Sequence, residues 1–219
     1  MRELRAGLWH WQAPHPEWTS DEAWPQVVSS CAIDDGSRLL LFDPLAVPQQ
    51  ILELTKTRQP VIVLTAPWHE RDTKTLVERL GAPVFAPLPD SAADLIRKFG
   101  ATPEQAAGGS PDLAWLRADE TFEAHFYAAG EQPPFGVDAF LGRESNDLVL
   151  WVESVGVVIP GDTLVDFGRG LQINDWLRED VTREEVVQRL RPLLDLPIEV
   201  VLLTHGAATD RAALVRALS

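Results

Sequence analysis

The sequence predicts a mixed α+β fold assembled from two sheet-bearing halves. Three observations predict it. Compact β-branched runs such as Pro60–Thr65 (PVIVLT) and Pro197–Thr204 (PIEVVLLT) have the length and composition of buried strands. Segments with helical patterning or capping boxes lie between such runs. The order strands-then-helices then occurs twice along the chain. With 219 residues, 45% of them hydrophobic, one domain spanning 1–219 has ample material for a core.

Each element follows in turn. Val27–Ile33 and Arg38–Phe42 read as two strands, joined by Asp34-Asp35-Gly36, whose Asp-Gly pair suits a tight turn. Gln49–Thr57 carries a weak helical pattern on Ile51, Leu52 and Leu54. Asp72–Leu80 is helical in composition, with Leu76, Val77 and Leu80 on one face, and Asp72 is a candidate N-cap. Ala82–Ala86 reads as a short strand. Ser91 and Asp94 form a capping box for a helix through Phe99. Gly100–Asp112, rich in Gly, Pro and Ala, reads as a crossing loop. Four closely spaced runs follow, Thr121–Tyr127, Val137–Gly142, Asp147–Glu153 and Val155–Pro160, and their spacing predicts antiparallel pairing. Thr182 and Glu185 open a helix to about Leu194, and Asp210–Leu218 is a final helix. Trp9, Trp11, Trp18 and Trp24 crowd the start of the chain. They are expected to lie over the body and fill gaps with large rings, the alternative being an aromatic wall beside a pocket.

Charge narrows the function. Thirty-three acids against 19 bases give a net charge of −14, which disfavours phosphate-rich partners, so no nucleic-acid or membrane partner is expected. No apolar run approaches a membrane span, and the Trp/His-rich start is unlike a signal peptide, so a cytoplasmic location is the expectation. The single cysteine, Cys31, leaves no internal disulfide and no cysteine-rich zinc cluster.

Three apolar strands end alike. Val61–Thr65 runs into Ala66-Pro67-Trp68-His69-Glu70-Arg71-Asp72, Val155–Pro160 into Gly161-Asp162-Thr163, and Val200–Thr204 into His205-Gly206. Buried strands that stop abruptly at His, Asp and Glu gather polar groups along one sheet edge, where sites of α/β proteins usually form. Imidazole and carboxylate are ligands suited to Zn, Fe or Mn. Each has a plainer reading. Asp162 could be a turn residue, His205 could bond a backbone carbonyl, and His69 could be a solvated loop histidine. His125 reads as structural, and His10 and His15 have no ligand spacing.

This order of motifs resembles the metallo-β-lactamase superfamily over nearly the whole chain. Phe42-Asp43-Pro44 resembles the family's early strand ending in an acid, and Leu64-Thr65 its lead-in to a His-x-His-x-Asp-His motif. Tyr127–Gln132 resembles the segment that supplies a third histidine, Gly161-Asp162-Thr163 the segment of the metal-bridging aspartate, and His205-Gly206 the last histidine motif. The resemblance implies a four-layer αββα sandwich and metal-assisted hydrolysis at one rim. The first motif keeps one histidine where the family has three, and three alignment frames remain open. Glu70 falls at the aspartate, or Asp72 does, or His69 takes the second histidine and Asp72 the last. Glu131 stands where the third histidine is expected.

The expected ligand set is therefore His69, Asp72, Asp162 and His205 around one Zn, Fe or Mn ion, with Asp72 also catalytic, and with Trp68, Glu70 and Glu131 lining the substrate site. The expected activity is hydrolysis of a small ester, thioester, amide or lactone. A metal-free cleft that binds a small molecule or a partner is the alternative. In that case Arg71, first among the basic groups, is expected to neutralise Asp162. Trp176 is expected to border the cleft.

Overall fold

The computed structural model describes residues 1–133, 135–178 and 180–219. Two sheets face one another. The first has seven strands in sequence order: β1 (Arg2–Arg5), β2 (Leu8–Pro14), β3 (Val27–Asp34), β4 (Arg38–Phe42), β5 (Gln59–Val63), β6 (Val84–Pro87) and β7 (Ala124–Tyr127). The second has five, of which β8 (Val137–Glu144), β9 (Asp147–Val152) and β10 (Val157–Ile159) form an antiparallel meander. A two-stranded ribbon, β11 (Leu164–Val165) with β12 (Gln172–Ile173), follows. Then β13 (Val200–Val201) joins β10 in parallel, and β14 (Thr209–Asp210) closes the edge.

Alternation along the strands explains the layers. Leu40 and Phe42 point inward with Val61 and Val63. They meet Leu148, Leu150, Val157 and Ile159 of the second sheet in one core between the sheets. Their neighbours Leu39, Leu41, Ile62 and Leu64 point outward. There they pack on α1 (Gln49–Leu54) and α2 (Thr73–Leu80) through Ile51, Leu76 and Val77. Beyond these come α3 (Ala92–Phe99), α4 (Pro103–Ala106) and α5 (Ala114–Ala118), of which α5 adds Leu116 to the same outer core. On the far side, Val149, Trp151 and Val158 pack on α6 (Arg183–Leu190) and α7 (Arg211–Ala217). The result is helix, sheet, sheet, helix, the expected αββα sandwich. The capping boxes at Ser91/Asp94 and Thr182/Glu185 are both formed.

Several elements differ from the expectation. Of the Trp-rich start, Trp9 and Trp11 lie in β2 of the first sheet while Trp18 and Trp24 lie in the connection to β3, and Trp11 is buried, donating its indole N–H to Leu45 O at 2.8 Å. The β7 strand does not join the meander after it. It pairs in parallel with β6, because the crossing segment 88–123 returns the chain to the same sheet. That segment also contains α4 and α5. The strand expected over Pro197–Thr204 is only Val200–Val201, with Leu202–His205 extending past it to the rim.

Candidate metal centre

Four chain segments reach one rim of the sandwich. After β4 comes Asp43, and after β5 comes Thr65, followed by a single 3₁₀ turn, Pro67–His69. After β10 comes Gly161-Asp162-Thr163, and after β13 comes Thr204-His205. Gly161 makes the third of these possible. Its φ is +56°, and a Cβ there would stand 2.5 Å from Asp147 Oδ1.

Asp162 is the hub. Its Oδ1 lies 3.1 Å from His69 Nε2 and 3.3 Å from His205 Nε2, and all three side chains are buried. Ligand-capable atoms of these three residues all lie within 4.8 Å of one another. The other oxygen, Oδ2, accepts from Trp68 Nε1 at 2.9 Å and has Arg143 Nη2 at 3.5 Å. The hub is held by its backbone: Asp162 N donates to Asp147 Oδ1 at 3.0 Å, and Asn174 Nδ2 donates to Asp162 O at 2.9 Å.

His69 is oriented from behind. Asp43 Oδ2 lies 3.2 Å from His69 Nδ1. The Thr65 hydroxyl donates to that same oxygen at 2.6 Å and lies 2.9 Å from Nδ1. Asp43 Oδ1 accepts from Thr65 N at 2.9 Å. This arrangement fixes the Nδ1 proton on the Asp43 side and aims Nε2 at Asp162. Arg71 donates to Asp43 O and to Ser29 O, both at 2.7 Å.

The charges follow from these contacts. Burial lowers the pKa of His69, but Asp162 and Asp43 outweigh it and push it up to about 9. Burial raises Asp162, but the charge of His69 and the bonds from both histidines hold it well below the usual carboxylate range. Burial likewise raises Asp43, and His69 and Arg71 bring it below its ordinary value. Asp147 goes the other way, up to about 6, through burial and the Asp162 charge, against the pull of Arg143 at 2.8 Å.

The sequence-predicted residues divide. His69, Asp162 and His205 come together. Asp72 stands outside the group. It occupies the N-cap position of α2 without capping it, because its Oδ2 instead accepts from Ala46 N at 2.6 Å. Glu70 accepts from Leu113 N at 2.8 Å and from Trp115 Nε1 at 3.1 Å, which ties it to α5. Glu131 closes its own loop by accepting from Ala128 N at 3.0 Å. The expected cation on Asp162 is corrected as well: Arg143 makes that contact, while the Arg71 backbone sits at φ +43° and its guanidinium goes to β3 and the β4 end. Trp68 is at the site, as an indole donor to the hub.

Nothing in the sequence marked Arg143, Asp147 or Phe167 for the site, and Trp24 entered only within the alternative of an aromatic wall. Trp24 and Phe167 pack edgewise on the His205 ring, at centroid separations of 5.3 and 5.8 Å. The Arg143–Asp147 stretch, Arg-Glu-Ser-Asn-Asp, has the composition of a plain hairpin turn, so no local signal marked it.

Two facing sheets flanked by helices form the layered fold seen in solved structures of the metallo-β-lactamase superfamily. Solved structures of that superfamily superimpose along nearly the whole chain. An archaeal metallo-β-lactamase superfamily protein from Sulfolobus tokodaii has a TM-score of 0.65 at 14% identity, over 97% of this chain and 84% of that one. A metallo-β-lactamase from Pontibacter korlensis has 0.60 at 16% identity, over 99% and 95%. TTHA1623, crystallised in a di-iron-bound form, has 0.58 at 22% identity, over 88% and 94%. No protein-family model matches the sequence, and no curated protein matches it.

Proposed function

We propose that the protein is a hydrolase with a single metal ion, held by His69 Nε2, Asp162 Oδ1 and His205 Nε2, and acting on a small ester, thioester, amide or lactone. The observation that supports it most is the triangle itself. Ligands at about 2.0–2.2 Å from one ion stand roughly 3.0–3.6 Å apart, depending on coordination number. The separations about Asp162 Oδ1 are 3.1 and 3.3 Å. The donor set also fits, because two imidazoles and one carboxylate suit Zn, Fe or Mn. Asp43 supplies the rear carboxylate that metal-bound histidines usually have.

Bound there, the ion would supply Lewis acidity to a substrate carbonyl and to water. The chain's own residues do the rest. Asp43 and Thr65 keep the Nδ1 proton of His69 in place. Trp68 and Arg143 occupy Asp162 Oδ2, so only Oδ1 faces the two histidines. That restriction favours one ion over two, since a two-metal site requires more ligands and a bridging oxygen. The di-iron form belongs to TTHA1623, which shares the fold.

One observation favours a second reading. Three basic groups, Arg71, Arg143 and His69, stand near the three buried carboxylates Asp43, Asp147 and Asp162, and with His69 protonated their charges balance without an ion. On that reading the protein binds a small molecule without catalysis. Metal analysis after reconstitution divides the two. The hydrolase reading expects about one equivalent of Zn, Fe or Mn, together with turnover of model esters or lactones, both lost in Asp162→Ala. Less than about a tenth of an equivalent would overturn it.

A further inference from the structure

Beside the metal cluster lies a cavity of about 420 Å³, walled by Trp68, Phe99, Trp176 and Leu177 and floored by Arg143 and Glu144. Two of these rings are unusually bare: Phe99 is 55% exposed and Trp176 42%. Large exposed rings that frame a concavity mark a place where a ligand gains by covering them. The cavity and the cluster share two residues, since Trp68 and Arg143 line the cavity and both also contact Asp162 Oδ2.

Charge decides what fits. Each cation at the cavity already has carboxylates. Arg143 bonds Asp147 at 2.8 Å and approaches Asp162 at 3.5 Å, and its Nη1 donates to Trp176 O at 2.7 Å. Arg178 lies 3.2 Å from Glu144. Lys98, behind the wall, lies 2.6 Å from Asp90 and 3.3 Å from Glu144. An anionic ligand would have to compete for donors already committed to buried carboxylates. An organic cation meets the opposite obstacle. Arg178 already sits 4.0 Å over the Phe99 ring and Arg143 5.9 Å over Trp68, so two of the three rings at the cavity already carry a guanidinium. The apolar walls remain for an uncharged partner.

We infer that this cavity binds a small neutral compound with a planar aromatic ring, seated against Phe99 and Trp176. Its identification as the acyl substrate of the metal centre rests on the hydrolase reading above; the binding itself does not. Trp176 and Phe99 are then affinity-determining residues.

The test is calorimetric or NMR titration with acetophenone, a neutral aromatic carbonyl compound with no hydrolysable bond. Benzoate and benzylamine are its anionic and cationic counterparts. Acetophenone is expected to saturate one site with a Kd at or below about the low-millimolar range, as suits so few atoms. The two charged probes are expected to bind at least tenfold more weakly. Trp176→Ala and Phe99→Ala are each expected to weaken acetophenone at least fivefold, with melting curves and metal content unchanged. No saturable binding, charged probes binding as well, or variants binding like the parent would each overturn the inference. Metal content measured on the same samples separates the readings. Acetophenone binding in protein that retains no metal leaves the cavity standing and removes the hydrolase, while one equivalent of metal without acetophenone binding does the reverse.

Discussion

Two buried aspartates, one from each sheet, make nearly the same hydrogen bonds and end with opposite electrostatics. Asp43, just past β4, accepts from Thr65 N and from the Thr65 hydroxyl, at 2.9 and 2.6 Å. Asp147, at the head of β9, accepts from Asp162 N and from the Thr163 hydroxyl, both at 3.0 Å. Each thereby ties the end of one strand to the loop after another. Asp43 has His69 and Arg71 as neighbours and is held below its ordinary pKa, whereas Asp147 has the Asp162 carboxylate beside it and rises to about 6 despite Arg143. The shared bonds are scaffolding; the neighbours set the role. Asp43 keeps its charge to orient a histidine. Asp147 shares an arginine with the hub carboxylate and fixes the hub through its backbone.

Removing each carboxylate outright should give the largest effects. Asp147→Ala strands Arg143 in the interior without its closest partner, and losses of about 3–5 kcal/mol attend such broken buried pairs. Urea unfolding would measure it, and a loss under about 1 kcal/mol would mean the Arg143–Asp147 pair is not what holds the second sheet's rim.

Asparagine substitution sharpens the contrast. Asp147→Asn removes a charge that burial and the Asp162 carboxylate already disfavour, whereas Asp43→Asn removes one that His69 and Arg71 favour. Asp43→Asn should therefore cost more stability, and it should weaken metal retention by about 10–100-fold through His69. Equal costs for the two variants would erase the distinction between them.

The next effect is a pH dependence in chelated protein. The pKa of His69 is raised from 6.5 to about 9, so its contribution is fully present below 6.5 and is lost as pH climbs through about 9. The full shift is on the order of 3 kcal/mol. Melting temperature should fall over that window, and His69→Gln should flatten the fall. The same slope in both proteins would contradict the charged His69 placed between Asp43 and Asp162.

The smallest effect belongs to Trp68→Phe, which keeps a ring but removes the indole donor to Asp162 Oδ2. A cost of about 1 kcal/mol is expected, with metal stoichiometry still near one. Uptake of a second equivalent would show that the indole, and not the shortage of ligands, limits the site.

The layers of the fold were legible because short, continuously apolar runs such as Leu39–Phe42 and Leu148–Val152 have the length of strands buried on both faces. The Trp-rich start concealed β1 and β2, since Trp9-His10-Trp11 carries large rings that read as a covering segment. Parallel pairing of β6 with β7 was hidden by a crossing of more than thirty residues, which adjacency in sequence cannot reveal. At the rim, abrupt strand ends pointed to Asp162 and His205. His69 and Asp72 carried competing signals three residues apart, and only the 3₁₀ turn at Pro67–His69 decides which one faces inward. Arg143 was illegible because it reaches the hub from a hairpin whose composition signals only a turn.

The proposed hydrolase requires one ion among His69, Asp162 and His205. Anomalous diffraction from crystals soaked in Zn, Mn or Fe tests that most directly. It should show a single peak about 2.0–2.2 Å from His69 Nε2, Asp162 Oδ1 and His205 Nε2. Crystals with no peak there, and with Asp162 still bonded to His69 and His205, would contradict it.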